Sequence, residues 1–356
     1  MLLSEFKSFE SCDYQLRNSK GKVKPAPSLP AGALLADTHC HLNMLEHPGL
    51  ALARAAHYGF GLLCCVLDPA EDAPDSAQFP TAAQTLGLLE SWQADARQIL
   101  ESWGEGERAL PTVRFAVGVH PHNARHFEDA KDGLVALLKD ARVSCLGEIG
   151  LDYHYDLSPR DVQRDVFARQ LRFAQQIGLP VSLHLREAHE DALDILHAEG
   201  VPQAGCIVHC FNLDARVLQP FVELGCHIAF GGPLTFRKAY YTRDACLKVP
   251  LDKLLTETDA PYMAPEPLRG TVCLPDFAQL AVRMLLDCYG YAGKQLALEA
   301  LQPRAVDIEA GAAPVDIEGI DFAALQQGLS EAEFCATVYR NATDLLDRPA
   351  TAWQLS

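Results

Sequence analysis

Histidines and carboxylates recur in this chain where apolar runs end. Asp37-Thr38-His39-Cys40-His41 directly follows Ala33-Leu34-Leu35-Ala36. If that run is a buried strand, its side chains alternate between two faces, so His39 and His41 point the same way with Asp37 on their side, while Thr38 and Cys40 face away. Two imidazoles then converge on one point. The same grammar returns in Gly147-Glu148-Ile149-Gly150-Leu151-Asp152, in His184-Leu185-Arg186, at His209 and in Glu257-Thr258-Asp259-Ala260-Pro261. Any one of these histidines alone is commonly a packed, hydrogen-bonded residue. Their joint recurrence at strand ends is harder to dismiss. His39, His41, His184 and His209 with Glu148 and Asp259 make a donor set suited to two divalent cations bridged by a carboxylate and a water. Burying so many ionisable groups without a metal would be costly. His120 and His122, in Gly118-Val119-His120-Pro121-His122, end a further run outside that set and are read as substrate contacts. His47, His57, His126, His154, His189, His197 and His227 fall in helices, loops or mid-strand and are not preferred ligands.

The elements that must position these residues follow from the apolar pattern. Ala33-Asp37, Leu62-Leu67, Val113-Val119, Val143-Ile149, Val181-Leu185, Cys206-Cys210, His227-Phe230 and Leu254-Thr258 read as eight strands. Several are continuous apolar runs, as strands covered on both faces are. Segments of helical length lie between them, such as Asp161-Gln176, where Val162, Val166, Phe167, Leu171 and Ala174 recur at helical spacing. Asp276-Tyr289 and Glu331-Leu346 read as helices after the last strand. The pattern predicts an α/β protein of one domain, a (β/α)8 TIM-type barrel, whose active site lies at the C-terminal ends of the strands.

Around that barrel, residues 1–30 read as an N-terminal extension ending in the semi-rigid Lys24-Pro25-Ala26-Pro27-Ser28-Leu29-Pro30, a lead-in outside the core. The barrel is expected over residues 31–350, with insertions at about 70–111 and 302–320, and residues 351–356 form a tail. Leu89-Glu90-Ser91-Trp92 and Leu100-Glu101-Ser102-Trp103 repeat close to three helical turns apart, so both tryptophans share a helix face and are read as a packing stripe. Val306-Asp307-Ile308-Glu309 and Val315-Asp316-Ile317-Glu318 mark a duplication in a solvated acidic insertion. It lacks the ligand order and central glycine of a calcium loop.

With 30 Lys and Arg against 47 Asp and Glu, the net charge is -17. Such a surface repels polyanions as a whole, so a phosphate-bearing substrate must be drawn in by a local site. Several of the 12 cysteines sit in apolar runs and no Cys-x-x-Cys occurs, which fits buried thiols in a reducing compartment. No secretory h-region or transmembrane length is present. The expectation is a cytoplasmic protein with no membrane association and no obligate protein partner.

Taken in order, these motifs resemble the TatD-type metal-dependent deoxyribonucleases, a family of amidohydrolase-like metal hydrolases. The matching stretches are Asp37 to His41, Gly118 to His122, Gly147 to Tyr153, His184-Leu185-Arg186-Glu187-Ala188, His209-Cys210-Phe211, Gly231-Gly232, Glu257 to Tyr262 and Asn341-Ala342-Thr343. The resemblance implies a barrel, one or two divalent ions such as magnesium, manganese or zinc, and phosphodiester cleavage, commonly from the 3′ end of DNA. It makes His39, His41 and Asp259 ligands of one ion, His184 and His209 ligands of the other, Glu148 the bridge and Glu257 a residue that orients a ligand. Arg186, two positions beyond His184 and so on the same strand face, suits bidentate phosphate contact. The expected reaction is attack of a metal-bound hydroxide on phosphorus, with Asp259 as proton acceptor and single-stranded DNA as substrate. One departure is Cys273-Leu274-Pro275, where the family usually carries an Asn and an acidic or polar residue before the proline. That loop and the acidic surface suit an alternative, hydrolysis of a small amide, ester or phosphoester by the same site. A barrel kept only as a binding scaffold is a third reading, against which the intact donor set argues.

Overall fold

The computed structural model describes residues 13–71, 79–301 and 329–347. A short hairpin, β1 (Leu16–Arg17) and β2 (Val23–Lys24), precedes the barrel strands β3 (Leu35–Cys40), β4 (Phe60–Leu67), β5 (Thr112–Val117), β6 (Val143–Asp152), β7 (Val181–Arg186), β8 (Cys206–Val208), β9 (His227–Phe230) and β10 (Leu254–Thr256). The intervening helices are α1 (Pro48–His57), α2 (Ala82–Ser102), α3 (Phe127–Leu137), α4 (Arg160–Ile177), α5 (His189–Glu199), α6 (Ala215–Glu223) and α7 (Tyr240–Cys246), and α8 (Ala278–Leu301) and α9 (Glu331–Leu346) follow the last strand. The eight barrel strands pair in parallel and in chain order. A bridge between Cys40 and Ala260, with Asp259 N–H donating to His39 O and His41 N–H to Ala260 O, joins first to last. The (β/α)8 barrel is therefore nearly closed.

Strand alternation divides the core into two layers. In β4, Leu63, Cys65 and Leu67 face the helices, whereas Leu62, Cys64 and Val66 join Ala36, Ala116, Cys145, Ile207, Ala229 and Leu255 inside the barrel. The inner residues are mostly small, as the taper of a small barrel requires. Ala342, Leu345 and Leu346 of α9 belong to the same inner cluster. Every cysteine among the described residues is a free thiol. No helix among them is long and apolar enough to cross a membrane.

Some boundaries differ from the sequence reading. β3 runs on to Cys40, so His39 lies within the strand, while β8 and β10 stop at Val208 and Thr256 and leave His209 and Asp259 in the segments that follow. α8 continues past Tyr289, because Lys294 to Leu301 are good helix formers that outweigh the cost of Gly290 and Gly293, about 1 kcal/mol each. The lead-in does reach the core. Leu16 is 1% exposed, and Arg54, buried with Asp276, also donates to Asp13 O and Gln15 O, so the segment just ahead of the hairpin supplies acceptors that a buried guanidinium requires. Trp92 is buried and Trp103, one residue past α2, packs against the same core. The Val-Asp-Ile-Glu duplication, the 302–320 segment and the 351–356 tail lie outside the described residues.

Candidate metal centre

Glu148 lies at the centre of the mouth because β6 carries a register shift between Gly147 and Ile149 where it pairs with β7. An extra residue in one strand re-aims its side chain. Gly150 supports the same close approach: its φ is +141°, and a Cβ there would lie 2.1 Å from His184 O. Glu148 Oε1 is 2.7 Å from His184 Nδ1 and 2.8 Å from His209 Nε2, and its Oε2 is 3.4 Å from His39 Nε2. On the far side of His39, Asp259 Oδ1 lies 3.5 Å from His41 Nε2 and 3.8 Å from His39 Nε2. The six donors expected from the sequence thus meet as two half-sets, His39, His41 and Asp259 beside His184 and His209, with Glu148 between them.

Whether these residues fit a cation is tested by their unmet bonding. Both ring nitrogens of His39, His209 Nδ1 and Glu257 Oε2 are buried without a hydrogen-bond partner. Orphaned polar atoms of this kind cost stability unless something binds them. His39, His41 and Glu148 place ligand atoms within 4.8 Å of one another, as do Glu148, His184 and His209, and also His39, His209 and Glu257. The imidazole nitrogens of the donor set suit zinc, and its carboxylate oxygens suit manganese or magnesium as well. The residues present fit the group.

Charge follows the same layout. Burial pushes Glu148 up, but His209, His39, His120 and His184 together reverse this and hold its carboxyl well below the usual carboxylate range. Burial pushes His209 down, yet Glu148 and Glu257 raise it well above an ordinary histidine. His41, beside Asp259, and His184, beside Glu148 and Asp152, are also raised in spite of burial. His39 is lowered, by burial and then by His209.

A second ring of carboxylates holds the first in place. Glu257, fully buried, accepts from Cys210 N–H and lies 3.7 Å from His209 Nδ1. Asp37 does not face the donors with His39 and His41 as alternation suggested. It accepts from His39 N–H, Thr258 N–H and the Thr258 hydroxyl, since a fully buried carboxyl needs donors and the barrel closure supplies them. Asp152, to which the sequence pattern assigns no role, has its Oδ2 3.0 Å from His184 Nε2 and 2.9 Å from His122 Nε2. Asp68 escaped the sequence reading altogether. It accepts from His120 N–H, Ala70 N–H and the Asn123 amide, and burial with nearby Glu71 pushes its carboxyl up to about 7. It directly follows the run Leu62-Leu67, so the signal that found the others applied to it as well.

The residues expected to touch substrate are at the rim. His120 Nδ1 accepts from His122 N–H, which leaves the proton of the neutral ring on Nε2, 3.8 Å from Glu148 Oε1. Arg186 ends β7, is exposed, and has no carboxylate within 4 Å among the described residues; its guanidinium lies 4.7 Å from the Tyr155 ring centre. Glu187, the obvious alternative partner, pairs with His154 instead.

The sequence model of the TatD related DNase family matches residues 36–302. The Escherichia coli metal-dependent hydrolase YcfH is 35% identical over 74% of this chain and 91% of its own length. The human 3′-5′ RNA nuclease TATDN2 is 30% identical over 74% of this chain and 33% of its own. Among solved structures, the TatD homologue YjjV from Escherichia coli superposes with a TM-score of 0.62 at 26% identity, covering 88% of this chain and 98% of that one. A nearly closed parallel barrel, a histidine and carboxylate cluster able to hold metal, and these likenesses agree: the chain belongs to the TatD related DNase family of metal-dependent hydrolases.

Proposed function

We propose that this hydrolase cleaves phosphodiester bonds, removing nucleotides from the 3′ end of single-stranded DNA. The observation that carries the reading is Glu148 set between two half-sets of donors, with Arg186, which has no carboxylate within 4 Å among the described residues, at the rim beside them. His39, His41 and Asp259 would hold one divalent ion, His184 and His209 the other, and Glu148 both. When bound, the ions supply a water nucleophile near neutral pH and offset charge on the phosphoryl oxygens. The chain's own groups do the rest. Asp259 takes the proton of the attacking water, Glu257 orients His209, and Arg186 grips a phosphoryl oxygen while His120 Nε2–H and His122 contact the substrate. The description of the family supports DNA, and the name of the human relative makes RNA the comparison substrate to include.

The surface charge of -17 implies few phosphate contacts beyond the mouth, which favours single strands over duplex and gives a shallow salt dependence. The free thiols fit a reducing compartment, and we assign the protein to the cytoplasm, acting without an obligate partner. The catalytic unit is residues 31–350. The acidic surface and the buried Cys273 in Cys273-Leu274-Pro275 favour a second reading, hydrolysis of a small amide or ester. A gel time course on 5′-labelled DNA and RNA with magnesium, manganese or zinc separates them. A descending ladder on single strands is the expected result. No cleavage with any ion, alongside turnover of a small ester, would overturn the nuclease assignment.

A further inference from the structure

Of the exposed aromatic rings among the described residues, Tyr14, Tyr155, Tyr240 and Tyr241, Tyr155 is the one with a ring contact at the mouth of the barrel. An exposed tyrosine taken singly needs no explanation. Tyr155 differs in three respects. Its ring is 47% exposed yet meets His122 edge to face at a centroid distance of 5.4 Å, and His122 in turn lies 6.0 Å from His184. Its backbone is held, because Asp152 Oδ1 accepts from both His154 N–H and Tyr155 N–H while Oδ2 reaches His122 and His184. One carboxylate therefore fixes the loop and a member of the metal centre relative to each other. Finally, the Arg186 guanidinium lies over the ring at 4.7 Å.

A half-open aromatic ring on a held backbone, backed by a cation and joined to the centre through His122, has the attributes of a stacking platform for a base. We infer that Tyr155 stacks the nucleobase adjoining the scissile phosphate and, with Arg186 beside it for that phosphate, selects substrates that carry a base there. This rests on the phosphodiesterase reading and narrows its substrate class: bare sugar phosphates and small amides offer the ring nothing to stack on. Arg186 over the Tyr155 ring is also placed beside the base site before substrate arrives, which lowers the cost of ordering it on a phosphate.

The test is a cycle between protein and substrate. Wild type, Tyr155→Phe, Tyr155→Trp and Tyr155→Leu are compared on a 5′-labelled single-stranded oligonucleotide and on the same strand with an abasic tetrahydrofuran residue next to the scissile phosphate. Stacking of one base predicts that Tyr155→Leu raises KM roughly 5- to 150-fold on the normal strand, with Phe and Trp close to wild type. The abasic strand should cost wild type a similar factor and cost Tyr155→Leu nothing more. Equal losses for Tyr155→Leu on both strands, or wild-type KM for it on the normal strand, would overturn the inference and leave the nuclease assignment intact. A wild type that cleaves neither strand overturns the nuclease assignment and the inference with it. Bound metal measured in each variant shows whether the centre itself was disturbed.

Discussion

His184 is held from both sides: its Nε2 lies 3.0 Å from Asp152 Oδ2, while its Nδ1 faces Glu148 Oε1 at 2.7 Å. A carboxylate on the outer nitrogen fixes the ring's tautomer and orientation and makes the inner nitrogen a better donor. Asp152→Asn should therefore lower metal affinity or kcat/KM roughly 10- to 100-fold, and Asp152→Ala by more. Metal titration followed by steady-state kinetics measures this. Wild-type values in Asp152→Ala would show that His184 needs no such support.

Removing two imidazoles from one half-set tests the centre directly. The double variant His39→Ala, His41→Ala should lose about one equivalent of divalent ion relative to wild type, and chelation of the wild-type protein should abolish hydrolysis. Elemental analysis of both proteins is sufficient. Equal metal content would remove His39 and His41 from the ligand set.

Arg186 is exposed and touches no carboxylate among the described residues, so its loss should leave the fold and the bound metal unchanged. On a phosphodiester substrate, Arg186→Ala should depress kcat/KM by about 10- to 100-fold, the scale of losing a charge-assisted contact to a phosphoryl oxygen. Unchanged kinetics would make it an ordinary surface cation stacked on Tyr155.

The protonation pattern predicts how the metal-free protein responds to pH. His209 is raised above its ordinary value of 6.5, so its stabilisation is fully present below that value and is lost as pH rises through its folded value. Glu148 is lowered from 4.5, so its stabilisation is present above that value and is lost as pH falls through its folded value. Asp68, raised from 3.8 to about 7, favours its protonated form in the fold and lowers stability as pH rises across that interval. His39 and His120, lowered by burial, add stability as pH rises towards 6.5 and change nothing above it. Above pH 6.5 the Tm of metal-free protein should thus decline towards alkaline pH, and the increase in Tm on adding metal should grow over the same range, because cations displace the proton of His209. Calorimetry across pH 6.5 to 9 in chelator and in metal buffer checks the sign. A metal-induced increase that shrinks with rising pH would contradict it.

The eight barrel strands and the convergence of His39 and His41 were legible in the sequence because both depend on short-range rules. Apolar runs announce strands buried on two faces, and the period of two carries His39 and His41 to one side. The helix Glu331–Leu346 was legible to the residue, since Ser330 and Glu333 form a capping box ahead of an amphipathic run. What only the tertiary structure decided involves partners far apart in the chain. Glu148 reaches four imidazoles from four other strand ends because of a register shift that no local pattern encodes. Asp37 turns to Thr258, 221 residues away, because the barrel closes there, and the segment ahead of the hairpin is tied to the core because Arg54, paired with Asp276, donates to Asp13 O and Gln15 O. Sequence determines which groups stand at the ends of strands. Which of them face one another is set by strand register and by the bonding needs of buried charge, and both are satisfied only once the sheet has closed.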